Sequence, residues 1–230
     1  MKLAVLGTGK IVQEFLPMIQ QVENVELVAL LSTPRSLDKA KEMQVQYHIQ
    51  EVYTDYETLL GNEIFDTVYI ALPNHLHYQY TKAALLQGKN VICEKPFTLN
   101  AQQLQELIQI ATEKRLILLE AITNQYLNNF LQIKKDLAQL GKIKIVECNY
   151  SQYSSRYDAF KEGKILPAFD PQKGGGALMD INIYNIHFIV GLFGKPEKVQ
   201  YLANIERDID TSGILVLDYG LCLGAVCIAA

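Results

Sequence analysis

The sequence predicts an α/β protein in which a parallel sheet, covered by helices on both faces, is followed by an α+β domain with an open, mainly antiparallel sheet. Two glycines end a short apolar strand at the start of the chain, strand and helix patterns alternate through the first half, and strand patterns succeed one another in the second half. Alternation is typical of parallel sheets, and strands joined by short turns are typical of antiparallel ones. We expect domains at 1–121 and 122–230.

In the first half, short apolar runs predict strands and apolar residues three or four positions apart predict helices. The predicted strands lie at 2–6, 25–31, 45–53, 67–72, 90–93 and 115–120. The predicted helices lie at 10–21, 37–43, 76–87 and 100–111, with a short helix after Asp55. Asp55 and Asn100 are expected N-caps, and Gly88 is expected to end a helix.

The second half begins with a predicted helix over 129–140. Its other predicted elements are a strand over 142–153, an irregular segment over 154–173, an apolar helix over 177–192 and strands at 196–205, 211–219 and 221–230. The last strand is apolar to its final residue, and an uncovered apolar edge strand is prone to aggregation. We therefore expect that further residues follow and that the second domain is incomplete. Cover by a partner subunit is the alternative.

Composition and charge argue against several classes of protein. The 230 residues are 49% hydrophobic and 20% charged, with a net charge of −4, which gives no electrostatic footprint for nucleic acid. We find no signal-peptide pattern and no apolar run of the roughly 18 to 20 residues that a membrane span needs. The four cysteines form no C-x-x-C pair, so we expect reduced apolar residues and no metal site. We expect a cytoplasmic protein.

Gly7 and Gly9 follow the first predicted strand and precede a helix. This arrangement is typical of a dinucleotide-binding unit, because the glycines allow a sharp turn and a close approach of the backbone to a pyrophosphate at the helix N-terminus. The expected cofactor contacts are Gly7, Thr8, Gly9, Lys10 and Ile11. Val12 occupies the third glycine position of the fingerprint and departs from it. A plain tight turn is the alternative.

The end of the second predicted strand carries Ser32, Thr33 and Arg35. A site that prefers NAD usually has an acidic residue here, which binds the ribose 2′-hydroxyl. Two hydroxyls and a guanidinium suit a 2′-phosphate instead, so we expect NADP, with NAD possible. The alternative is that Arg35 is a solvated loop residue and that Ser36 only caps the next helix.

A turn with proline and asparagine follows the fourth predicted strand, in the stretch 71–77. Such a turn presents its backbone at the carboxyl edge of a parallel sheet, where ligands bind. The expected cofactor contacts are Ala71, Leu72, Pro73, Asn74 and His77, with His77 favoured over His75. A simple strand-to-helix turn is the alternative.

Glu94, Lys95 and Pro96 follow the fifth predicted strand. Proline favours an extended conformation of the residue before it, which fixes the direction of the Lys95 side chain. An ammonium beside a carbonyl or alcohol can stabilise a developing alkoxide and lower the pKa of a neighbouring acid. We assign Lys95 to catalysis and cofactor binding. Glu94 either pairs with Lys95 or faces the cofactor, and a surface lysine is the alternative for Lys95.

Three glycines at 174–176 lead into an apolar helix that carries Asp180, Tyr184 and His187. Asp180 and Tyr184 are four positions apart and share a helix face. A carboxylate and a phenol are costly to bury there without a partner or a function. A phenol beside a lysine can donate a proton to a carbonyl, or accept one in the reverse direction. A core tyrosine and a hydrogen-bonded aspartate are the alternative, and His187 is expected to be structural.

Four motifs, in this order, resemble the Gfo/Idh/MocA oxidoreductase family. They are Gly7-x-Gly9, Pro73-Asn74-x-x-His77, Glu94-Lys95-Pro96 and Gly174-Gly175-Gly176-x-x-x-Asp180. The resemblance implies a Rossmann domain followed by a substrate-binding domain whose open sheet often forms dimers. It also implies NAD or NADP as cofactor and a sugar, polyol or related alcohol as substrate.

Tyr184 stands where many members of the family have a histidine. With this tyrosine, the chain resembles the branch of dihydrodiol dehydrogenase and glucose–fructose oxidoreductase, in which lysine and tyrosine serve the proton transfer. By position, the resemblance implies Lys95 and Tyr184 as the catalytic pair and Asp180 as an orienting or substrate-binding residue. Gln125 stands where an arginine is common. We expect a homodimeric NADP(H)-dependent oxidoreductase in which the Lys95 ammonium and the Tyr184 phenol converge on one nicotinamide face. A non-catalytic NADP-binding sensor of redox state or sugar is the alternative.

Overall fold

The structure is a computed structural model that describes residues 1–221 and 223–230. The chain forms two compact units, Met1–Ala121 and Ile122–Ala230. Cys222, which belongs to the last predicted strand, lies outside the described residues.

The first unit is built on a six-stranded parallel sheet. Its strands are β1 (Lys2–Leu6), β2 (Glu26–Leu31), β3 (Glu51–Tyr53), β4 (Thr67–Ile70), β5 (Asn90–Glu94) and β6 (Leu118–Ala121). The strand order is β3-β2-β1-β4-β5-β6, and every ladder is parallel. The order therefore reverses between β1 and β4, and doubly wound sheets bind ligands outside the carboxyl ends of the strands at this switch point. The predicted doubly wound sheet is confirmed.

Helices cover both faces of this sheet. They are α1 (Lys10–Ile19), α2 (Leu37–Tyr47), α3 (Tyr56–Leu60), α4 (His77–Leu86) and α5 (Ala101–Lys114). Successive side chains of β1 enter two different apolar clusters, because side chains alternate across a strand. Leu3 and Val5 pack with residues of α1 and α2, and Leu6 packs with residues of α4 and α5. Burial of both faces explains why β1 and β2 read as continuous apolar runs.

Several boundaries in the first unit differ from the prediction. The third strand begins at Glu51 rather than near residue 45, because α2 continues through Tyr47 and ends at His48 in the left-handed conformation. In the same way, α5 runs to Lys114, beyond the predicted 111, and ends at Arg115 with a φ of 57°. The predicted caps are confirmed, since the side chains of Asp55 and Asn100 each accept a hydrogen bond from a backbone N–H of the first helical turn.

The second unit contains a four-stranded sheet with the order β7-β10-β9-β8. Its strands are β7 (Ile145–Tyr150), β8 (Lys198–Glu206), β9 (Ile209–Asp218) and β10 (Gly224–Ala229). The pairs β8–β9 and β9–β10 are antiparallel, whereas β7 and β10 are parallel. The predicted open, mainly antiparallel sheet is confirmed, with one parallel pair that the sequence pattern does not reveal.

In the described part of the second unit, the α-helices are α6 (Asn128–Asp136), α7 (Tyr157–Lys161) and α8 (Ile183–Phe193). The segment predicted to be irregular contains α7 and two short 3-10 turns. A π-helical turn, Leu178–Asn182, leads directly into α8. Ile189 of α8 packs on Leu215 and Leu217 of β9, so α8 covers one face of the sheet.

One stretch differs from the expectation that no segment is long enough to cross a membrane. The stretch Pro171–Phe193, which contains a 3-10 turn, the π-helical turn and α8, is long and apolar enough to qualify by length and composition. These criteria are weak evidence by themselves, because the core helix of a soluble protein meets them too. Here, Ile189 lies fully within the core of the second unit.

Candidate active site

Gly7 ends β1 at a position where the backbone requires glycine. Its φ is 110°, which side-chain-bearing residues rarely adopt, and a Cβ would lie 2.6 Å from the carbonyl oxygen of Ala71. The Gly7 N–H donates to the carbonyl oxygen of Leu31 at 2.9 Å. Gly7 therefore brings together the carboxyl ends of β1, β2 and β4 at the switch point.

Gly9 is the N-cap of α1 and has a different role. Its φ of −67° is open to any residue, so the conformation does not require glycine. A Cβ at Gly9 would meet nothing within 4 Å, which leaves open space over the end of the helix. Helix N-termini present backbone N–H groups to anions, and the first turn of α1 carries no acidic residue. These features fit the pyrophosphate of a dinucleotide.

Val12, at the third fingerprint position, points into the core. It is fully buried and packs in one cluster with Val5 and Leu16. Val12 therefore occupies the third glycine position by packing between the helix and the sheet.

The residues after β2 differ in their accessibility. Ser32 is 6% exposed, and its buried hydroxyl has no hydrogen-bond partner among the described residues. The Thr33 hydroxyl lies 3.0 Å from the hydroxyl of Ser36 and caps the turn Pro34–Ser36. Arg35 is exposed on that turn. Of the three predicted contacts, Thr33 and Arg35 are exposed, and Arg35 also carries a positive charge.

His77 requires a correction to its expected role. Its side chain is 0% exposed, with Nδ1 2.8 Å from the carbonyl oxygen of Pro96 and Nε2 2.8 Å from that of Leu72. Burial lowers the pKa of His77 below its ordinary value, and the two carbonyl contacts oppose this effect. The enclosed imidazole joins two turns of the sheet edge instead of contacting a cofactor. His75 is exposed on the turn Asn74–Leu76.

Glu94, the last residue of β5, is held by the neighbouring strand. Its Oε1 accepts a hydrogen bond from the hydroxyl of Tyr69 at 2.6 Å. The Tyr69 ring packs against Phe15 with centroids 4.2 Å apart. Burial, followed by the charge of Glu94, raises the pKa of Tyr69, so its phenol remains a donor. This bond fixes the carboxylate immediately before Lys95.

Lys95 lies in a turn that is anchored on its far side as well. The Lys95–Pro96 peptide bond is cis, and the Pro96 carbonyl contacts the His77 ring. The next residue, Phe97, donates its N–H to Glu120 Oε1 at 3.1 Å. The backbone around half-buried Lys95 is therefore held by side chains from α4 and β6, at the carboxyl edge of the sheet.

Asp180 and Tyr184 lie on consecutive turns of one helix in the second unit. Asp180 belongs to the π-helical turn and Tyr184 to the first turn of α8, and both are half-buried. The Tyr184 ring packs against Tyr150 of β7, with centroids 5.5 Å apart. π-Helical turns occur frequently at functional sites.

Asp210 fixes the start of this helix. Its Oδ2 accepts the N–H of Leu178 at 2.7 Å and the hydroxyl of Tyr201 at 2.6 Å. Gly176 allows this approach, because its φ is 104° and a Cβ there would collide with the Asp210 carboxylate. The third glycine of the sequence motif is therefore required because a larger residue would block the approach of the Asp210 carboxylate from β9.

Two buried amides, which no sequence motif singles out, attach the helix to β10. The Asn182 side chain donates to the carbonyl oxygen of Cys227 at 3.3 Å. The Asn185 side chain donates to Asn182 Oδ1 at 2.9 Å and to the carbonyl oxygen of Ile228 at 3.0 Å. The available signal is a pair of amides three positions apart within an apolar helix.

The turn Thr123–Tyr126 contacts the same helix. Asn124 Nδ2 donates to the carbonyl oxygen of Tyr184 at 2.7 Å. Gln125 Nε2 donates to the carbonyl oxygen of His187 at 3.0 Å and lies 3.1 Å from its Nδ1. Gln125, which stands where the family often has arginine, is therefore engaged with the helix backbone.

A pocket of about 320 Å³ lies beside Asp180 within the second unit. Three aromatic residues, Tyr153, Tyr157 and Phe169, and a second acid, Glu206, contribute to its lining. The volume falls in the range of small-molecule sites. The sequence pattern did not indicate this pocket, because much of its lining comes from the irregular segment and from the tip of the β8–β9 hairpin.

The structure thus groups the predicted residues unit by unit. The Gly7 turn, the turn after β4 and Lys95 lie at the carboxyl edge of the first sheet, and Asp180 and Tyr184 lie on one helix of the second unit. Convergence of Lys95 and Tyr184 stays a prediction.

Comparison with known proteins agrees with these features. The chain is 37% identical to scyllo-inositol 2-dehydrogenase (NADP(+)) IolU of Bacillus subtilis, over 95% of this chain and 66% of that protein. It is 29% identical to trans-1,2-dihydrobenzene-1,2-diol dehydrogenase of Xenopus tropicalis, over 95% of this chain and 65% of that protein. The chain therefore spans just under two thirds of the length of these relatives.

A solved structure shows the same fold. KijD10, a 3-ketoreductase from Actinomadura kijaniata in complex with NADP and TDP-benzene, is 26% identical with a TM-score of 0.85, over 100% of this chain and 70% of that one. Residues 1–122 match the oxidoreductase family with an NAD-binding Rossmann fold, and residues 130–227 match the GFO/IDH/MocA C-terminal domain. The first unit is thus an NAD(P)-binding Rossmann domain, and the chain belongs to the GFO/IDH/MocA oxidoreductase family.

Proposed function

We propose that the protein is an NADP(H)-dependent oxidoreductase that acts on a hydroxyl or carbonyl carbon of a sugar, polyol or related alcohol. The observation that carries this proposal is the anchored Lys95 turn, which lies at the same sheet edge as the Gly7 turn. A lysine fixed there is expected of a site that performs chemistry, since cofactor binding alone does not need it. The dehydrogenase names of the relatives support the same class.

The first unit would bind the cofactor through its glycine turn and its β2 edge. The N–H groups at the start of α1, from Lys10 onward, would bind the pyrophosphate in the open space over Gly9. The exposed guanidinium of Arg35 would pair with a 2′-phosphate, assisted by Thr33. The names of IolU and of the KijD10 complex include NADP, which supports this preference. When bound, the nicotinamide supplies or accepts the hydride.

We assign the accompanying proton to Lys95 and Tyr184. The phenol would donate a proton to the carbonyl oxygen during reduction and accept it from the alcohol during oxidation. The Lys95 ammonium would stabilise the negative charge that develops on that oxygen and lower the pKa of the phenol. Asp180, on the same helix as Tyr184, would orient the substrate by accepting a hydrogen bond from a hydroxyl.

The test is the change in nicotinamide absorbance over a panel of polyols and aldoses. For a substrate so identified, Lys95→Met is expected to lower turnover by about 10²–10⁴-fold, a larger effect than its weakening of cofactor binding. Lys114→Met, on the exposed last turn of α5, is the matched control. Cofactor binding without turnover over the whole panel would contradict the proposal and favour a non-catalytic sensor.

We also propose that the protein forms a homodimer through the sheet face opposite α8. On that face, Leu202 of β8, Ile214 of β9 and Ile228 of β10 lie in register across three strands. Leu202 is 54% exposed and Ile214 is 41% exposed. A contiguous apolar face of this kind is typical of an interface.

A further inference from the structure

We propose that Cys148 and Cys227 form a redox-modification site that slows turnover when it is oxidised. A small-molecule disulfide, such as oxidised glutathione, would convert the two thiols into one reversible intramolecular disulfide. The two residues are direct partners in the ladder between β7 and β10, and both are free thiols in this structure. The effect on turnover rests on the proposed function, whereas formation of the bond does not. The site lies entirely within the second unit.

The ladder places the two thiols at a suitable separation and on one face of the sheet. Neighbouring strands lie about 4.7–4.9 Å apart, and disulfides join residues whose Cα atoms are about 4.4–6.8 Å apart. Both cysteine side chains belong to the apolar cluster around Ile189, so both point toward the face that α8 covers. A disulfide can therefore form without a change in strand pairing.

Access differs between the two thiols and sets the order of events. β7 stands at one end of the strand order β7-β10-β9-β8. Cys148 of this strand is half-buried, whereas Cys227 is fully buried, so an oxidant reaches Cys148 first. Burial, followed by the charge of Glu147, raises the pKa of Cys148. Because the thiolate is the attacking species, we expect a slow first step that becomes faster as the pH rises.

The two steps form a balanced thiol–disulfide exchange. The Cys148 thiolate attacks one sulfur of oxidised glutathione, which forms a mixed disulfide and releases one glutathione thiolate. The Cys227 thiolate then attacks the Cys148 sulfur, which closes the intramolecular bond and releases the second glutathione. The protein loses two electrons and two protons, and the oxidant gains them as two thiols.

The second step depends on the buried thiol. Burial, followed by the charge of the Cys148 thiolate, raises the pKa of Cys227 to about 12. Cys148 carries no charge in the mixed disulfide, so the second of these causes is removed at that stage. The attack is also intramolecular, and the high effective concentration of a neighbouring group offsets a small fraction of thiolate.

Both cysteines lie beside contacts that hold the helix carrying Tyr184. The backbone carbonyl oxygen of Cys227 accepts a hydrogen bond from the Asn182 amide at 3.3 Å. Tyr150 follows Cys148 by two positions, on the same face of β7. The Tyr150 ring packs on the Tyr184 ring with centroids 5.5 Å apart. A bond between the two strands would shift both contacts, and a small displacement of a reacting group slows catalysis.

The experiment treats the fully reduced whole chain with oxidised glutathione and maps the disulfides by mass spectrometry of tryptic peptides. We expect one cross-link between Cys148 and Cys227, a loss of two titratable thiols, and full recovery with dithiothreitol. No loss of thiols, a mixed disulfide that persists at Cys148, or a bond that involves Cys93 or Cys222 would overturn the proposal.

Two serine variants, each lacking one thiol, assign the bond. Trypsin leaves Cys222 and Cys227 in one peptide, because no lysine or arginine lies between them. Cys222→Ser is therefore the matched control and should keep the cross-link, whereas Cys148→Ser should abolish it. Loss of the cross-link in Cys222→Ser would contradict the assignment. The wild-type cross-link needs no variant, so the proposal stays testable if a variant does not fold.

Turnover is then compared between the reduced and the oxidised protein. For a polyol that the reduced protein converts, oxidation should lower turnover about tenfold, with recovery in dithiothreitol and no effect of the oxidant on Cys148→Ser. Equal turnover of the two forms would overturn the proposed regulation. A cross-link without turnover in either form would refute the proposed function alone, because the bond is measured without substrate. Turnover without any cross-link would refute this inference alone.

Discussion

Arg35 offers a direct test of cofactor preference, because its guanidinium is exposed just after β2. Arg35→Gln should weaken NADPH binding about tenfold and leave NADH binding nearly unchanged, since only NADPH carries the 2′-phosphate. Fluorescence titration with each nucleotide measures both affinities. Lys41→Gln, an exposed position on α2, controls for the loss of one positive charge. Equal losses for both nucleotides would contradict the assignment.

His77 should contribute a pH dependence to stability. Burial lowers its pKa in the folded protein below the ordinary value of 6.5, so the unfolded chain binds the proton more readily. The free energy of unfolding should therefore fall as the pH decreases below 6.5, and be highest above that value. Urea unfolding at several pH values should show a smaller slope for His77→Gln than for wild type.

The exposed His75 provides the control for that experiment. His75→Gln should keep the wild-type dependence on pH, because the imidazole it removes lies on the surface. If both histidine variants show the same slope, burial of His77 is not its source. The comparison uses the slope of the unfolding free energy against pH. The absolute stability is not a suitable measure, because His77→Gln also loses the two contacts to backbone carbonyls.

At the level of residues, local sequence predicted conformation better than it predicted accessibility. The glycine at position 7 is required for the turn, as its position after an apolar strand indicates. His77 was expected to contact a cofactor, yet its ring is enclosed by the turns at Leu72 and Pro96. Those turns are distant in sequence, and no local pattern reports which atoms meet across neighbouring strands.

At the level of secondary-structure elements, the start of the helix that carries Asp180 can be tested through the stability of the protein. Gly176→Ala should destabilise the protein by roughly 1–3 kcal/mol, because φ is 104° and the new Cβ would collide with the Asp210 carboxylate. Chemical denaturation measures the change. Gly224→Ala is the control, since a Cβ there would meet nothing within 4 Å. Equal stability of the two variants would contradict this account.

The spacing of apolar residues predicts whether most elements are helices or strands, but it does not predict several of the residues at which they begin and end. The chain from 45 to 47 remains helical, although its apolar residues also fit a strand, because His48 can adopt the left-handed conformation that ends α2. The π-helical turn at Leu178–Asn182 depends on long-range bonds from Asp210 and to β10. Those partners lie more than thirty residues away, beyond any local pattern.

The oligomeric state of the whole molecule should depend on the apolar sheet face formed by Leu202, Ile214 and Ile228. Leu202→Lys places a charge on that face and is expected to weaken the proposed dimer at least about tenfold, which analytical ultracentrifugation would detect as a shift toward monomer. Leu140→Lys, at an exposed leucine outside the sheet, is the matched control. A wild-type protein that is monomeric at high concentration would contradict the proposed interface.

The sequence predicted the architecture of the whole chain because alternation and strand succession extend over many residues. The candidate site residues rest instead on short motifs, and the structure places these motifs at the carboxyl edge of the first sheet and on one helix of the second unit. The pocket was not predicted, because Tyr157, Phe169 and Glu206 come from segments without periodicity or from a hairpin tip. Only the folded backbone brings such residues together.

The amides of Asn182 and Asn185 attach to main-chain oxygens of β10 and not to its side chains. Replacement of one β10 residue by another leaves those oxygens in place, provided that the strand keeps its pairing. The sequence of the strand can therefore change during evolution while Asp180 and Tyr184, on the attached helix, keep their positions. For these contacts, selection would then act on the two asparagines and place no constraint on the side chains of β10.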